Sequence, residues 1–518
     1  MPGTSRRRTE TGAATVHTVR VKRLGHLLSA AGLPGESAAD AEVSGVEYDS
    51  RRCSPGSLFV AVRGFHVDGH DFIPDAIARG AAAVVAERAA PAAAPTPIFR
   101  VADSRAALSA LAAAFYDNPS GALTVAGITG TDGKTTTATM LWAAWRAAGI
   151  AAGSMTTVDW RSRDVVEPNK SRQTTFEAPE LQQHLAALRD DGCSHVALET
   201  SSHALELHRV DDVAYRAAVF TRITSEHTDL HGSREAYLAA KTRLLHMVSA
   251  RSDGIAVLDA GDDFAFPSLS RIPVSTRLTY SADPARRADV VAENVRASTR
   301  GVDVSARTPW GPVELSLQLA GRFNAANALA ALAAACATGA PVDAAVRGLE
   351  NLERVSGRME RVDLGQPYAV VIDYAHTAGS LSHVLRELRD TTAGRLWVVF
   401  GSAGERDVEK RSAMGAVAAE LADVSVITDE DPRMEDRLRI LEQIAAGATD
   451  AGGRRGENVV VVPDRTEAID FAIAHAVVGD TVLLAGKGHE STLIVGTKSL
   501  PWDERAVAES AIRSHLSG

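Results

Sequence analysis

The sequence predicts an α/β protein of three domains, and three observations carry that expectation. Apolar, β-branched runs alternate with helical patterns along most of the chain, as expected of largely parallel sheets covered by helices. A glycine-rich stretch, Gly127-Ile128-Thr129-Gly130-Thr131-Asp132-Gly133-Lys134-Thr135-Thr136, stands between a strand-like run and a helix-like one. Turn chemistry at Asn118-Pro119-Ser120-Gly121 and at Val355-Ser356-Gly357-Arg358 divides the 518 residues into pieces of ordinary domain size.

Taken in order, residues 1–16 carry Arg6-Arg7-Arg8 with no apolar segment behind them. They read as a disordered tail rather than a secretory signal, and three arginines are too few for a nucleic-acid arm. Residues 17–121 form a small α/β domain, with strands over 58–62 and 82–85, a helix over 73–80 between them, and a strand over 98–101 after a Pro/Ala loop. Residues 122–356 form the central parallel-sheet domain: a strand over 124–128, the glycine loop, a helix from Thr135, a strand over 196–198, and further alternation to about 350. Residues 357–518 form a Rossmann-like, doubly wound domain, with apolar runs at 369–372, 396–400, 424–428, 459–462 and 481–484 separated by helical segments.

Composition narrows the function classes. A net charge of −10 disfavours nucleic acid and anionic membrane as partners, so an anionic substrate requires a local basic pocket. The three cysteines, Cys53, Cys193 and Cys336, form neither a metal spacing nor a disulfide framework, which fits a reducing cytoplasm. The Ala-rich stretch over 325–340 is interrupted by Asn327, Thr338 and Gly339 and is no membrane span.

The loop carries the chemistry. Glycines let backbone N–H groups turn toward phosphate oxygens, and the following helix N-terminus adds a favourable dipole. Lys134 is placed to reach the β and γ phosphates of a nucleotide, and the hydroxyl of Thr135 or Thr136 to reach Mg²⁺. Gly127 lies one residue too far from Gly133 for the usual Walker spacing.

In the form G-x-x-G-T-[N/D]-G-K-T-T, the loop resembles the Mur ligase family. The rest of the chain agrees: Asp49-Ser50-Arg51-Arg52, Asp68-Gly69-His70-Asp71-Phe72, Glu199-Thr200-Ser201-Ser202-His203, His227-x-Asp229-x-His231-Gly232, Ala239-Ala240-Lys241, Gly321-Arg322-Phe323-Asn324-x-x-Asn327, Gly357-Arg358-Met359-Glu360, Asp373-Tyr374-Ala375-His376-Thr377 and Gly486-Lys487-Gly488-His489-Glu490. The N-terminal motifs look like those of MurE-type members, which add a diamino acid to UDP-N-acetylmuramoyl-L-alanyl-D-glutamate.

The resemblance implies an ATP- and Mg²⁺-dependent ligase of peptidoglycan precursor synthesis, acting in the cytoplasm as a monomer on small molecules and forming an acyl phosphate that an amine then attacks. It assigns Lys134, Glu199, His227 and Lys241 to catalysis. Thr135, Glu199, His227 and a carbamylated Lys241 would hold metal. ATP would meet Gly130, Thr131, Asp132, Gly133, Lys134, Thr135, Thr136, Asn327, Arg358 and Asp373, and the UDP-substrate would meet Ser50, His70, Thr174, Thr175, Ser201 and Arg209. The amino acid would meet Arg406, Asp431, Arg433, Gly486 and Glu490. Read without the family, His227 is a hydrogen-bonded core histidine, because Mg²⁺ prefers oxygen.

Asp431-Pro432-Arg433 resembles the Asp-Asn-Pro-Arg signature of diaminopimelate-adding members, with aspartate for asparagine. Arg433 favours meso-diaminopimelate, whose extra carboxylate can pair with it. The negative charge of Asp431 leaves L-lysine and L-ornithine open. Other departures are Phe176 for proline, Arg222 for asparagine, Glu226 for aspartate, Ser356 for proline and Ala378-Gly379 for Pro-Asp. Arg222 puts a new charge near the nucleotide, paired either with Glu226 or with phosphate. Two further readings stand beside the first: a divergent Mur-like ligase with another amine or acceptor, such as folylpolyglutamate synthetases or cyanophycin-type enzymes, and a nucleotide-binding partner subunit without catalysis.

Overall fold

The computed structural model describes residues 20–33, 41–65, 67–88, 96–171, 173–224, 228–405 and 407–516. The expected tail over 1–16, and with it His227, Glu226 and Arg406, lies outside the described residues. By its contacts the chain forms two compact units. One runs to Asn118 and also takes in Glu177–Gln183 and His208–Asp212; the other comprises Pro119–Phe176, His184–Leu207 and Val213–Gly518.

The first unit holds a parallel sheet in the order Gly45–Glu47, Ser57–Val60, Ala83–Ala86, Ile98–Arg100. Both middle strands are buried along their whole length because helices cover both faces. Helices Leu24–Ala30 and Ser104–Phe115 share a core with Val46, Leu58, Val60 and Val85, whereas Ile73–Ala78 packs on the opposite face against Phe59 and Val84. Asp103 starts the helix Ser104–Phe115 by accepting the N–H groups of Arg105 and Ala106.

In the second unit, the larger sheet runs in the order Val166–Pro168, Asp159–Arg161, Ala152–Met155, His195–Glu199, Thr124–Thr129, Tyr215–Phe220, Ile255–Asp259, Thr276–Ser281, Val290–Ser298, Gly301–Thr308, Gly311–Leu317. From Ala152–Met155 to Val290–Ser298 every pairing is parallel. The expected α/β alternation up to about 350 gives way to an antiparallel meander over 290–317. Its inward residues, Val302, Val304 and Ala306 against Val313, Leu315 and Leu317, alternate with exposed or half-exposed ones, so the segment satisfies a strand period and not a helical one.

The Ala-rich stretch is the helix Asn324–Ala337, buried on nearly every side against the sheet and the helix Lys134–Ala147. Alanine suits a helix packed from several directions at once, and no described helix is long and apolar enough to cross a membrane.

The C-terminal sheet has the order Glu360–Val362, Ala369–Asp373, Thr481–Ala485, Leu396–Phe400, Val424–Ile427, Val459–Val461, parallel except for its first strand. Separate apolar cores on its two faces make it doubly wound, as the sequence predicts.

Candidate active site

The order of the larger sheet reverses around Thr124–Thr129, whose parallel neighbours are His195–Glu199 on one side and Tyr215–Phe220 on the other. Ligands of open α/β sheets gather beyond the carboxyl ends of strands at such a point. Gly127 belongs to this strand, which runs one residue beyond the expected 124–128. A Cβ there would lie 2.7 Å from the Tyr215 ring. The turn proper is Gly130–Gly133.

Two of its glycines are sterically required. Gly130 has φ +154°, and a Cβ would collide with the Thr221 hydroxyl; Gly133 has φ +83° and lies against the Asn327 amide. The segment after Tyr215–Phe220 stitches the turn in place. Thr221 Oγ1 donates to Asp132 O (2.7 Å), Thr131 N–H to Arg222 O (2.8 Å), and Thr224 N–H to Thr131 Oγ1 (2.9 Å). Gly133 offers no capping side chain to the helix Lys134–Ala147, so its first N–H groups stay open to an anion. Lys134 folds its ammonium onto Thr131 O at 2.6 Å.

Glu199 ends the apolar strand His195–Glu199 and is buried. Its Oε2 accepts three donors: Thr135 Oγ1 (2.9 Å), Thr157 N–H (2.8 Å) and Thr157 Oγ1 (3.0 Å). Its Oε1 accepts none among the described residues. Thr131, Asp132, Gly133, Lys134, Thr135 and Thr136 line one recess of about 60 Å³ with Glu199 and Arg358. No cluster of three or more His, Cys, Asp or Glu ligands occurs among the described residues. One carboxylate oxygen beside a threonine hydroxyl nevertheless fits Mg²⁺, which keeps water and phosphate oxygens in most of its positions. A larger cavity, about 1000 Å³ between the helices Arg465–His475 and Glu504–Leu516, holds none of the predicted site residues. The recess instead brings together open helix N–H groups, the Lys134 ammonium and the Glu199 carboxylate.

Lys241 lies buried in the helix Arg234–Ser249 and donates to Gly130 O at 2.7 Å, its Nζ 4.3 Å from the centre of the Tyr237 ring. The lysine thus reaches the phosphate turn from below. Asn327 accepts Thr137 Oγ1 (3.3 Å) and donates to Asn324 Oδ1 (2.9 Å), so its amide ties the helix Asn324–Ala337 to the helix Lys134–Ala147.

Arg358 donates to Thr135 Oγ1 at 3.4 Å, bringing the Val355–Arg358 turn to the phosphate turn, while its Nε has no hydrogen-bond partner. Asp373 accepts the N–H groups of Met359 and Ala375 (2.9 Å each) and fixes that turn; burial raises its carboxyl above the ordinary range against the pull of Arg358. Arg222 is exposed, and its charge acts on Asp259 and Asp263. Burial lifts the carboxyl of Asp259 to about 6.

Of the predicted amino-acid residues, Arg406 lies outside the described ones, and Asp431 and Glu490 meet at Lys487, just beyond the strand end Ala485. Asp431 is buried, and its Oδ1 accepts Lys487 Nζ and the Ile494 N–H, each at 2.9 Å. Lys487, fully buried, also pairs with Glu490. The charge that Asp431 adds is therefore turned inward onto Lys487, which it shares with Glu490. Arg433, at φ +55°, has an Nε without a hydrogen-bond partner and forms no ion pair among the described residues. Gly486 (φ +100°) faces the buried carboxylate of Glu430, 3.2 Å from where a Cβ would stand.

The residues assigned to the UDP-substrate divide between the units. Ser50, His70 and Arg209 belong to the first, and Thr174, Thr175 and Ser201 to the second. Ser50 donates to Asp75 (2.8 Å) and Arg209 pairs with Glu177 (2.7 Å). His70 Nε2 accepts the Glu87 N–H at 3.0 Å, so its Nδ1–H donates to Asp68 at 2.6 Å and both ring nitrogens are engaged. Thr175 donates to Glu199 O (2.8 Å) and accepts the Ser201 N–H (3.1 Å), and Ser201 caps the helix Ser202–Glu206. Thr174 is half-buried beside them. Phe176, the replacement for proline, is buried with its ring 4.7 Å from that of His184. Sequence reasoning missed Thr157, Thr221, Tyr374 and the pairing of Lys487; each acts through partners distant in the chain.

Comparison with known proteins places these features in a family. Residues 42–116 match the description "Mur ligase family, catalytic domain", 128–335 "Mur ligase middle domain" and 357–488 "Mur ligase, glutamate ligase domain". The chain is 46% identical over 501 residues to the UDP-N-acetylmuramyl-tripeptide synthetase of Roseiflexus sp. (strain RS-1), covering 94% of this chain and 97% of that protein. It is 40% identical over 490 residues to the UDP-N-acetylmuramoyl-L-alanyl-D-glutamate–2,6-diaminopimelate ligase of Geobacillus kaustophilus (strain HTA426), covering 93% and 98%. A solved structure of a UDP-N-acetylmuramoyl-L-alanyl-D-glutamate–2,6-diaminopimelate ligase superimposes with a TM-score of 0.66 at 28% identity, covering 96% of this chain and all of that one. The phosphate turn, the buried Glu199 and the three-domain α/β architecture are thus those of a chain that belongs to the Mur ligase family.

Proposed function

We propose that this protein joins a diamino acid to UDP-N-acetylmuramoyl-L-alanyl-D-glutamate at the expense of ATP, in the cytoplasm and as a monomer. The observation that carries this reading is the single recess where the phosphate turn, Glu199 and Arg358 meet. The near full-length similarity to ligases named for that product supports it. Residues 17–121 would hold the UDP group, 122–356 the ATP and 357–518 the amino acid.

The open N–H groups after Gly133 and the Lys134 ammonium receive the ATP phosphates, and Arg358 closes on them from the far side of Thr135. The γ-phosphoryl group passes to the substrate carboxylate, and the amine of the amino acid then displaces phosphate from that acyl phosphate, leaving an amide. Mg²⁺, held by Thr135 and Glu199 and by the assigned His227, would supply charge neutralisation to the phosphates when bound. Asn327 steadies the turn, and Asp373 orients Arg358. Thr174, Thr175 and Ser201 lie beside Glu199 O, suited to the acceptor end of the UDP-substrate, whose other contacts are Ser50, His70 and Arg209.

Lys241 is assigned as the carbamylated residue: addition of carbon dioxide to its amine would turn a buried cation into an anion beside the turn. Bicarbonate should therefore raise activity, and Lys241→Ala should lower it; activity insensitive to both would remove this assignment.

Among diamino acids we favour meso-diaminopimelate. Asp431 directs its carboxylate at the buried Lys487 and the Ile494 N–H rather than leaving it open, whereas Arg433 retains a guanidinium that a distal carboxylate can pair with. L-Lysine and L-ornithine offer Arg433 nothing. ADP release from ATP in the presence of the UDP-dipeptide should be fastest with meso-diaminopimelate, and Arg433→Ala should lower kcat/KM for it by roughly tenfold or more while sparing L-lysine. Equal rates with all three amino acids would overturn the assignment. A ligase with another amine or acceptor is the reading that would then remain.

A further inference from the structure

Tyr374 belongs to no assigned site, yet it touches groups from both ends of the reaction. The Arg358 guanidinium carbon lies 5.0 Å from the centre of its ring. Its hydroxyl donates to Glu490 Oε1 at 3.5 Å. On either side, the His376 and His489 rings stand 4.6 and 4.8 Å from it, centre to centre. Burial, Arg358 and Lys487 hold the His489 imidazole neutral, down to about 3, so this neighbour adds no competing cation. Burial and the Glu490 carboxylate raise the phenol above its ordinary range, so the hydroxyl stays a donor.

Arg358 in turn donates to Thr135 of the phosphate turn, and Glu490 pairs with Lys487, which holds Asp431. One side chain thus bridges two sets of contacts. Its ring orients the cation that faces the nucleotide, and its hydroxyl orients the carboxylate at the amino-acid end. Thr135 accepts one N–H of this arginine and Asp373 attracts its charge; with no partner at Nε, the aromatic face adds a further constraint on its direction.

We propose that Tyr374 is a positioning residue that couples the nucleotide and amino-acid sites, its ring serving Arg358 and its hydroxyl serving Glu490. The inference rests on the ligase reading above, which puts ATP at the phosphate turn and the amino acid beside Glu490.

The test separates the two halves of the side chain in the full-length enzyme. Tyr374→Phe keeps the ring and removes the hydroxyl: KM for the amino acid should rise about three- to tenfold, with KM for ATP unchanged. Tyr374→Leu removes both: KM for ATP should rise as well, by about three- to thirtyfold, and ADP should bind more weakly at equilibrium. Phenylalanine and leucine variants that shift both constants by the same factors would indicate a packing role only and overturn the proposal, as would two variants that shift neither. Should the leucine variant fail to fold, the split between the two KM values in Tyr374→Phe decides alone. If the wild type releases no ADP with any amino acid, the ligase reading fails by itself. ADP binding that is weaker in Tyr374→Leu but not in Tyr374→Phe then still supports the ring's role, and equal binding in all three overturns it.

Discussion

Lys134→Ala is expected to lower kcat on the order of a thousandfold while the enzyme folds and binds its UDP-substrate as before. The ammonium is half-buried at the recess and, among the described residues, donates to Thr131 O. Transfer of a phosphoryl group needs little covalent help from the protein. It needs positive charge and aligned donors where negative charge is spread over the equatorial oxygens. Thermal stability should fall by no more than about 1–3 kcal/mol, the cost of leaving the carbonyl of the buried Thr131 without its donor. Single-turnover ADP formation and a melting curve on the same preparation check both halves. A variant that kept more than about a tenth of wild-type kcat would remove Lys134 from the chemistry.

The second large effect concerns Glu199. Glu199→Gln retains an acceptor for Thr157 and Thr135, yet replaces Oε1 with an amide donor in the recess. A donor facing the position of a cation repels it, so kcat should fall at least about a hundredfold, with little loss of stability. Glu199→Ala should lose similar activity and also destabilise by roughly 1–3 kcal/mol, because a buried N–H and two hydroxyls lose their acceptor. Measuring kcat against Mg²⁺ concentration alongside the melting temperature separates the two variants. Near-wild-type turnover of the glutamine variant would show that the carboxylate serves packing alone.

The parts of this molecule that were legible in its sequence are those written locally. The C-terminal strands are short β-branched runs between helices, and the phosphate turn combines glycine, lysine and threonine within ten residues of a strand. The meander over 290–317 also wrote its period-two alternation plainly, but the preceding α/β rhythm masked it. Allegiances across long separations were not legible. Nothing local in Glu177–Gln183 or His208–Asp212 says that they belong with the first unit. Asp431 reads as a new charge for the substrate until Lys487, 56 residues away, is found paired with it. Likewise, Thr157 gives no sign by itself that its N–H and hydroxyl fix the Glu199 carboxylate, 42 residues on. Arg222 gives no local sign that its charge also acts on Asp259 and Asp263, 37 and 41 residues on.

The central claim is that the recess couples ATP cleavage to amide formation on a UDP-muramoyl dipeptide. ADP release should be measured with ATP and Mg²⁺ alone, with UDP-N-acetylmuramoyl-L-alanyl-D-glutamate or meso-diaminopimelate added singly, and with both together. The account predicts sustained ADP release only when both are present, matched mole for mole by the UDP-tripeptide. Sustained release with either omitted, or ADP formed with both present but without tripeptide, would contradict it.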